Sequence, residues 1–286
     1  MNIRNIFDRK KTVFSLEIFP PKRTDGIETL YQSLDRIAAV KPDYISVTYS
    51  AGGSATNELT GRIAADIKSR YGIEPLPHLT CLYNTKEQVK AQLEIFEQSG
   101  IENILALRGD RRPDLEVCKD FAHASDLAAF IKENSSLNCV GACYPEGHPE
   151  APGRAIDVRN LKYKIDAGVT HLNSQLFLDN DDFYSFLELC QAADINVPIE
   201  AGIMPLMSKS QIERMIIGFG ASMPRKLSRI ITKYENDPDG LFKAGMGYAI
   251  GQIIDLISQG VSGIHLYTMN RPEVTETIYN SIKSML

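Results

Sequence analysis

The chain has 286 residues, 43% of them hydrophobic and 23% charged, with a formal net charge of -5. Such a chain buries a large core without disulfides or metal, and its acidic balance excludes a general nucleic-acid or membrane-surface binder. No run reaches the roughly 18 apolar residues of a membrane span. The polar stretch Met1–Lys11 has no secretory apolar region, and the five cysteines (Cys81, Cys118, Cys139, Cys143, Cys190) are scattered, so a reducing, cytoplasmic setting is expected.

Short apolar runs alternate with helical patterns from end to end. The first predicted strand, Val13–Phe19, carries Glu17 and runs into Pro20-Pro21. The second, Tyr44–Tyr49, ends in Thr48-Tyr49, and the third, Leu76–Leu82, contains His78 and Thr80. Thr85-Lys-Glu-Gln88 then reads as a capping box, closed by Gly100 at a helix C′ position. The fourth strand, Asn103–Leu107, leads into Arg108-Gly109-Asp110. The fifth, Asn138–Tyr144, leads into a Pro-Glu-Gly turn and His148. A helix follows and stops at Asp166-Ala-Gly168, before strands six (His171–Phe177, carrying Gln175) and seven (Val197–Ile203). Ser208 to Gly260 is too long for one crossover helix. A second capping box at Ser208–Gln211, breaks near Ser222–Pro224 and Asn236–Pro238, and an Asp237-Pro238 start predict two or three helices there. The eighth strand, Gly263–Tyr267, runs into Thr268-Met-Asn-Arg271.

Eight strands alternating with helices predict parallel pairing through right-handed crossovers, and a closed (β/α)₈ barrel fits the count. An open doubly wound sheet is the rival. No linker, repeat or low-complexity tract divides the chain, so residues 1–286 are expected to form one domain.

Barrel chemistry sits where the strands end. Seven of the eight predicted strands deliver a hydrogen-bonding side chain to that rim. A purely structural barrel, whose interior prefers branched apolar residues, does not need this. Glu17 is the sharpest case. Desolvation between apolar neighbours raises a carboxyl pKa and would suit it to general acid work; alternatively it is an interior carboxylate paired with His78 or Arg108. Arg108-Gly109-Asp110 offers a cation, a hinge and a carboxylate. Asp157, Asn160 and Lys164 share one face of a helix start, which suits a diphosphate or an ordinary solvated first turn. Gly245-Met-Gly247 with Gly251 lies inside a helical pattern and reads as helix packing, not a dinucleotide loop. Cys139 and Cys143 lack the matching pair a zinc site needs. His171 reads as a satisfied core histidine.

Phe14-Ser-Leu-Glu-Ile-Phe-Pro-Pro-Lys22, Ile45-Ser-Val-Thr-Tyr49, Pro77-His-Leu-Thr-Cys81, Ala106-Leu-Arg-Gly-Asp110, Tyr144-Pro-Glu-Gly-His-Pro-Glu150 and Leu266-Tyr-Thr-Met-Asn-Arg271 together resemble methylenetetrahydrofolate reductases of the bacterial, catalytic-domain-only type. The resemblance implies a (β/α)₈ barrel holding non-covalent FAD. It implies ping-pong reduction of 5,10-methylenetetrahydrofolate to 5-methyltetrahydrofolate, a step toward methionine. Glu17 then matches the general acid, and Asp110 a carboxylate near both flavin and pterin. Gln175, Gln211 and Arg271 match folate-side positions. For FAD the resemblance carries over Thr48, His78, Leu107, Arg108, Gly109 and Asp110, with Ala124, Ala142, Tyr144 and His148. Asp157, Asn160, Lys164 and Tyr267 complete that set. Tyr163, His123 and Met215 depart from the family pattern, where Arg, Tyr and an aromatic residue are usual. The resemblance implies NADH or NADPH as donor, or a ferredoxin-type chain through a partner subunit, and a homo-oligomer. No S-adenosylmethionine feedback is expected.

Overall fold

A computed structural model describes residues 1–21, 26–49 and 54–286; Lys22 of the first motif lies outside them. Eight parallel strands close into a barrel in sequence order: β1 (Val13–Ile18), β2 (Tyr44–Val47), β3 (Glu74–Thr80), β4 (Asn103–Leu107), β5 (Asn138–Cys143), β6 (Val169–Ser174), β7 (Ile199–Ile203) and β8 (Gly263–Tyr267). The open-sheet alternative is excluded by β1 pairing with both β2 and β8.

The crossovers are α1 (Ile27–Ala38), α2 (Ser54–Tyr71), α3 (Lys86–Gln98), α4 (Ala124–Asn134), α5 (Arg154–Asp166) and α6 (Asn180–Ala192). Three further helices, α7 (Lys209–Phe219), α8 (Arg225–Lys233) and α9 (Pro238–Ser258), lie between β7 and β8, and α10 (Pro272–Ile282) follows β8. The breaks fall as the sequence predicts. Asp237 caps α9 by accepting from Gly240 N, with Pro238 at its first position. Thr85 and Gln88 form a full capping box on α3. Ser208 makes only half of one, because the Gln211 amide turns instead to Met207 N and Pro205 O.

Alternation along each strand sorts side chains between axis and helices. Phe14, Leu16 and Ile18 face outward into the main core with Leu30, Leu34 and Ile37 of α1. Each such side chain, fully buried, contributes about 1.5–3 kcal/mol. Inward, Val13, Tyr44, Leu76, Leu105 and Val140 meet Ile3 and Ile6 of a short 3-10 helix (Ile3–Ile6), which closes the base. A third apolar cluster joins Leu176, Leu178, Leu206, Met215, Leu227 and Tyr267 beneath α7 and α8. Of the three α9 glycines expected to mark helix packing, only Gly245 does so: a Cβ there would stand 2.0 Å from the Leu206 carbonyl oxygen, whereas one at Gly247 or Gly251 would meet nothing within 4 Å.

Two expectations need correction. Strand ends shift: β6 starts at Val169 rather than His171, and β2 stops at Val47, leaving Thr48 and Tyr49 in the loop. His171 is wholly buried but not satisfied, since neither ring nitrogen meets a hydrogen-bond partner among the described residues. Among those residues no helix is long and apolar enough to cross a membrane, and no His/Cys/Asp/Glu group is arranged for a metal.

Candidate active site

Glu17 ends the inward row Val13, Ser15, Glu17 of β1, at the C-terminal mouth. Strand register sets Ser46 and Tyr267 beside it. Its carboxylate Oε2 accepts from Ser46 Oγ at 3.2 Å and lies 3.4 Å from His265 Nε2 and 3.5 Å from His78 Nε2. Its own carbonyl accepts from Thr268 Oγ1 at 2.7 Å, which fixes the β1 end to β8. Met269 and Asn270 turn the chain there with positive φ, a conformation asparagine tolerates, and the Asn270 amide brackets Phe19 N and O at 2.9 and 2.7 Å.

These contacts reverse the expectation of a raised Glu17 pKa. Burial pushes the carboxyl up, but the His265 hydrogen bond, with His78, His265 and Ser46 reinforcing it, holds it below its ordinary value. The pairing with His78 is present; Arg108 is engaged elsewhere. Burial lowers His78 to about 4, so its ring is neutral near pH 7.

On the β4–β5 side, Arg108 makes a bidentate pair with Glu150 at 2.6 and 2.8 Å. Gly109 (φ +89) packs on Thr80, whose Cβ would lie 3.2 Å from an added Cβ, so both conformation and space select glycine. Leu107 closes β4 and takes Cys81 N onto its carbonyl at 3.1 Å. Asp110 is exposed, and its charge adds to burial in raising Tyr144 to about 12. Tyr144 and His148 meet edge-on, with ring centroids 4.7 Å apart. Asp157 accepts from His148 N at 3.0 Å, bracing the turn that Gly147 (φ +91) makes.

Lys164 reaches back from α5 to the Ala142 carbonyl at 2.8 Å, and burial lowers its pKa. An ammonium has three donors; among the described residues this one uses a single acceptor. Lys164 stands in the last turn of α5, not at its start as the sequence suggests, so the helix N-terminus at Gly153 does not join it; a half-buried cation with spare donors at the Ala142 carbonyl still fits a phosphate-bearing cofactor. Asn160 is exposed on the same helix, and Ala124 opens α4. Thr48 joins the rim through its N–H to Ile18 O at 3.1 Å. The Tyr267 hydroxyl donates to Ser174 O at 2.9 Å.

The folate-side residues are less gathered. The Gln175 amide folds onto Leu176 N at 2.8 Å, and the buried Gln211 amide is taken up by its own loop. Arg271 pairs with Glu273 at 2.7 Å and lies 5.3 Å from the Phe242 ring centroid. Of the three departures, Tyr163 and His123 are exposed, while Met215 is buried in the cluster beneath α7. A cleft of about 610 Å³ between α1 and α2, lined by Asp35, Lys41 and Glu74, opens at the other end of the barrel, away from this chemistry.

Sequence reading missed Ser46, beside Glu17, and Ser15, Tyr44, Glu200 and His265, which form a polar layer beneath it. The available signal was alternation: Ser15 lies two residues before Glu17, Ser46 two before Thr48 and His265 two before Tyr267.

A closed parallel barrel with a buried carboxyl, two histidines and a half-buried lysine converging on its C-terminal mouth is the arrangement of a (β/α)₈ enzyme. Residues 2–283 match the family model for methylenetetrahydrofolate reductase. The chain is 35% identical over 273 residues to a 5,10-methylenetetrahydrofolate reductase of Pectobacterium carotovorum, covering 94% of this chain and 89% of that one. It is 34% identical to the Escherichia coli enzyme of that name, covering 94% and 90%. A methylenetetrahydrofolate reductase (NADH) of Arabidopsis thaliana is also 34% identical, but the chain spans only 48% of its length. In fold it resembles a Clostridium thermocellum protein that binds two copies of 5-methyl-5,6,7,8-tetrahydrofolic acid, with a TM-score of 0.70, 16% identity and 99% of each chain covered. The chain belongs to the methylenetetrahydrofolate reductase family.

Proposed function

We propose that this chain, acting as one catalytic barrel, reduces 5,10-methylenetetrahydrofolate to 5-methyltetrahydrofolate, with FAD held in the mouth and Glu17 as the acid toward folate. The observation that carries this reading is the Glu17 carboxyl, buried at the end of β1 against His265, His78 and Ser46, in a chain of this family. When bound, a flavin would supply hydride chemistry between an electron donor and the one-carbon unit.

The chain's own residues do the rest. Lys164, with Asp157 and Asn160, would hold the diphosphate and ribose. Tyr144, His148 and Ala124 would flank the nucleotide. Thr48, His78, Ala142 and Tyr267 would line the ring side, with Leu107, Arg108 and Gly109 presenting backbone. Arg108 would exchange its Glu150 partner for the cofactor. Asp110, Gln175 and Arg271 would orient the pterin and its tail, and Gln211 would join them by releasing Pro205 O and Met207 N. Glu17 rests ionised. It takes up a proton when an aromatic ring covers the mouth and removes water, and gives that proton to the folate nitrogen that leaves the one-carbon bridge.

Purification under mild conditions, then denaturation, should release one FAD per chain. Anaerobic mixing with NADH, NADPH and reduced ferredoxin should identify the donor, and added methylenetetrahydrofolate should then yield 5-methyltetrahydrofolate. Bleaching by reduced ferredoxin alone would make the chain the flavin-bearing subunit of a larger system. A colourless protein whose spectrum ignores added FAD, or one that carries FMN, contradicts the proposal.

A further inference from the structure

A second carboxyl lies below the Glu17 rim. Glu200 of β7 is wholly buried and faces the barrel axis. Gly263 of β8 stands opposite it, and a Cβ there would meet Glu200 Cγ at 2.8 Å, so the neighbouring strand leaves room for this side chain. Oε2 accepts from the Tyr44 hydroxyl, and Oε1 from Ser15 Oγ at 2.8 Å. Ser15 Oγ is also 2.7 Å from His265 Nδ1, whose Nε2 lies 3.4 Å from Glu17 Oε2. Hydrogen-bonding atoms therefore run without a gap from Glu200 through Ser15 and His265 to Glu17. Both links, a hydroxyl and an imidazole, can accept a proton on one side while donating on the other.

We propose that Glu200 is a proton store for the site, a positioning residue that loads Glu17 through Ser15 and His265 while the mouth is covered. This rests on the reading of Glu17 as the acid toward folate. Before transfer, protonated Glu200 donates to Ser15 Oγ, Ser15 donates to His265 Nδ1, and His265 Nε2–H donates to the Glu17 carboxylate. Three protons then move one place each. The Glu200 O–H bond breaks as an O–H bond forms on Ser15. The former Ser15 proton bonds to Nδ1, and the Nε2 proton bonds to Glu17. Glu200 ends ionised and Glu17 neutral, Ser15 and His265 keep their charge, and no electron changes hands. Refilling runs the shift backward, from a proton that Glu17 takes from water when the mouth is open.

The surroundings fit a store. Tyr44 faces Glu200 from β2, Ser15 from β1, His265 from β8, and His171 and Asn173 from β6. Burial raises Glu200 to about 7, with His265, Tyr44 and Ser15 opposing and Asp43 adding to the rise. His171 lies 3.9 Å away, but burial lowers it to about 3, so it brings no neutralising charge.

Infrared titration of the chain without added cofactor tests the store directly. A protonated-carboxyl band should titrate near pH 7, shift in D₂O and vanish in Glu200→Gln. Absence of such a band, or its survival in the variant, overturns the proposal. Ser15→Ala keeps both carboxyls and cuts the line between them. In FAD-loaded protein, the folate half-reaction should slow as pH rises through about 7. Both variants should run at least about tenfold slower below that pH and lose the dependence, with the donor half-reaction unchanged. A wild-type pH profile in both variants also overturns the relay. Full folate reduction by Glu17→Gln would instead remove the acid role itself, leaving the infrared band in place.

Discussion

The Lys164 ammonium of α5 donates to the Ala142 carbonyl of β5 at 2.8 Å, bridging a helix and the strand before it. That contact holds a cation beside the barrel mouth with donors to spare. Lys164→Ala is expected to weaken FAD retention by about 1–3 kcal/mol, the range of a charge-assisted hydrogen bond. Folate binding to the refilled protein should change little. Equilibrium dialysis of FAD checks it; wild-type affinity would leave Lys164 a structural tie between α5 and β5.

Two glycines of α9 should respond in opposite directions. Gly245→Ala places a methyl group against the Leu206 carbonyl, and backbone cannot yield as a side chain can. A loss of about 1–3 kcal/mol is expected. Gly247 is exposed, with nothing within 4 Å of an added Cβ, so Gly247→Ala should gain roughly 0.5–1 kcal/mol from helix propensity. Urea unfolding of both variants measures the sign of each.

Glu200 should make stability depend on pH. Its carboxyl rises from an ordinary 4.5 to about 7 in the folded chain. Between these values the folded state holds a proton that the unfolded state has lost, so stability falls as pH rises. The contribution is fully present below 4.5 and is lost as pH rises through about 7. The total is on the order of 3 kcal/mol. Glu200→Gln, which never ionises, should therefore gain on the wild type as pH rises from 4.5 to about 7, and the difference should level off above that. Parallel pH dependence of the two unfolding curves would contradict the shift.

Much of the fold was legible because eight apolar runs, each followed by turn chemistry, leave few ways to close a sheet. The rim residues Glu17, Arg108, Tyr144 and Tyr267 were legible because they end strands. The setting of Glu17 was not. Its sequence neighbours Leu16 and Ile18 are apolar but face the helices, whereas Ser46, His78 and His265, which determine its charge, come from other strands. Glu200 was hidden for the same reason: inside Ile199-Glu-Ala-Gly-Ile203, nothing local marks a carboxyl whose partners lie on β1 and β2. Gln211 carried a capping signal and a folate match at once, and here its amide serves the loop.

The acid role of Glu17 is read from Glu17→Gln, with the two half-reactions followed separately in FAD-replete protein. The amide keeps the shape of the side chain but has no proton to give. The folate half-reaction should fall by about 10²- to 10⁴-fold, while reduction by the donor should stay within roughly an order of magnitude. Equal slowing of both half-reactions in folded, FAD-replete protein would contradict it.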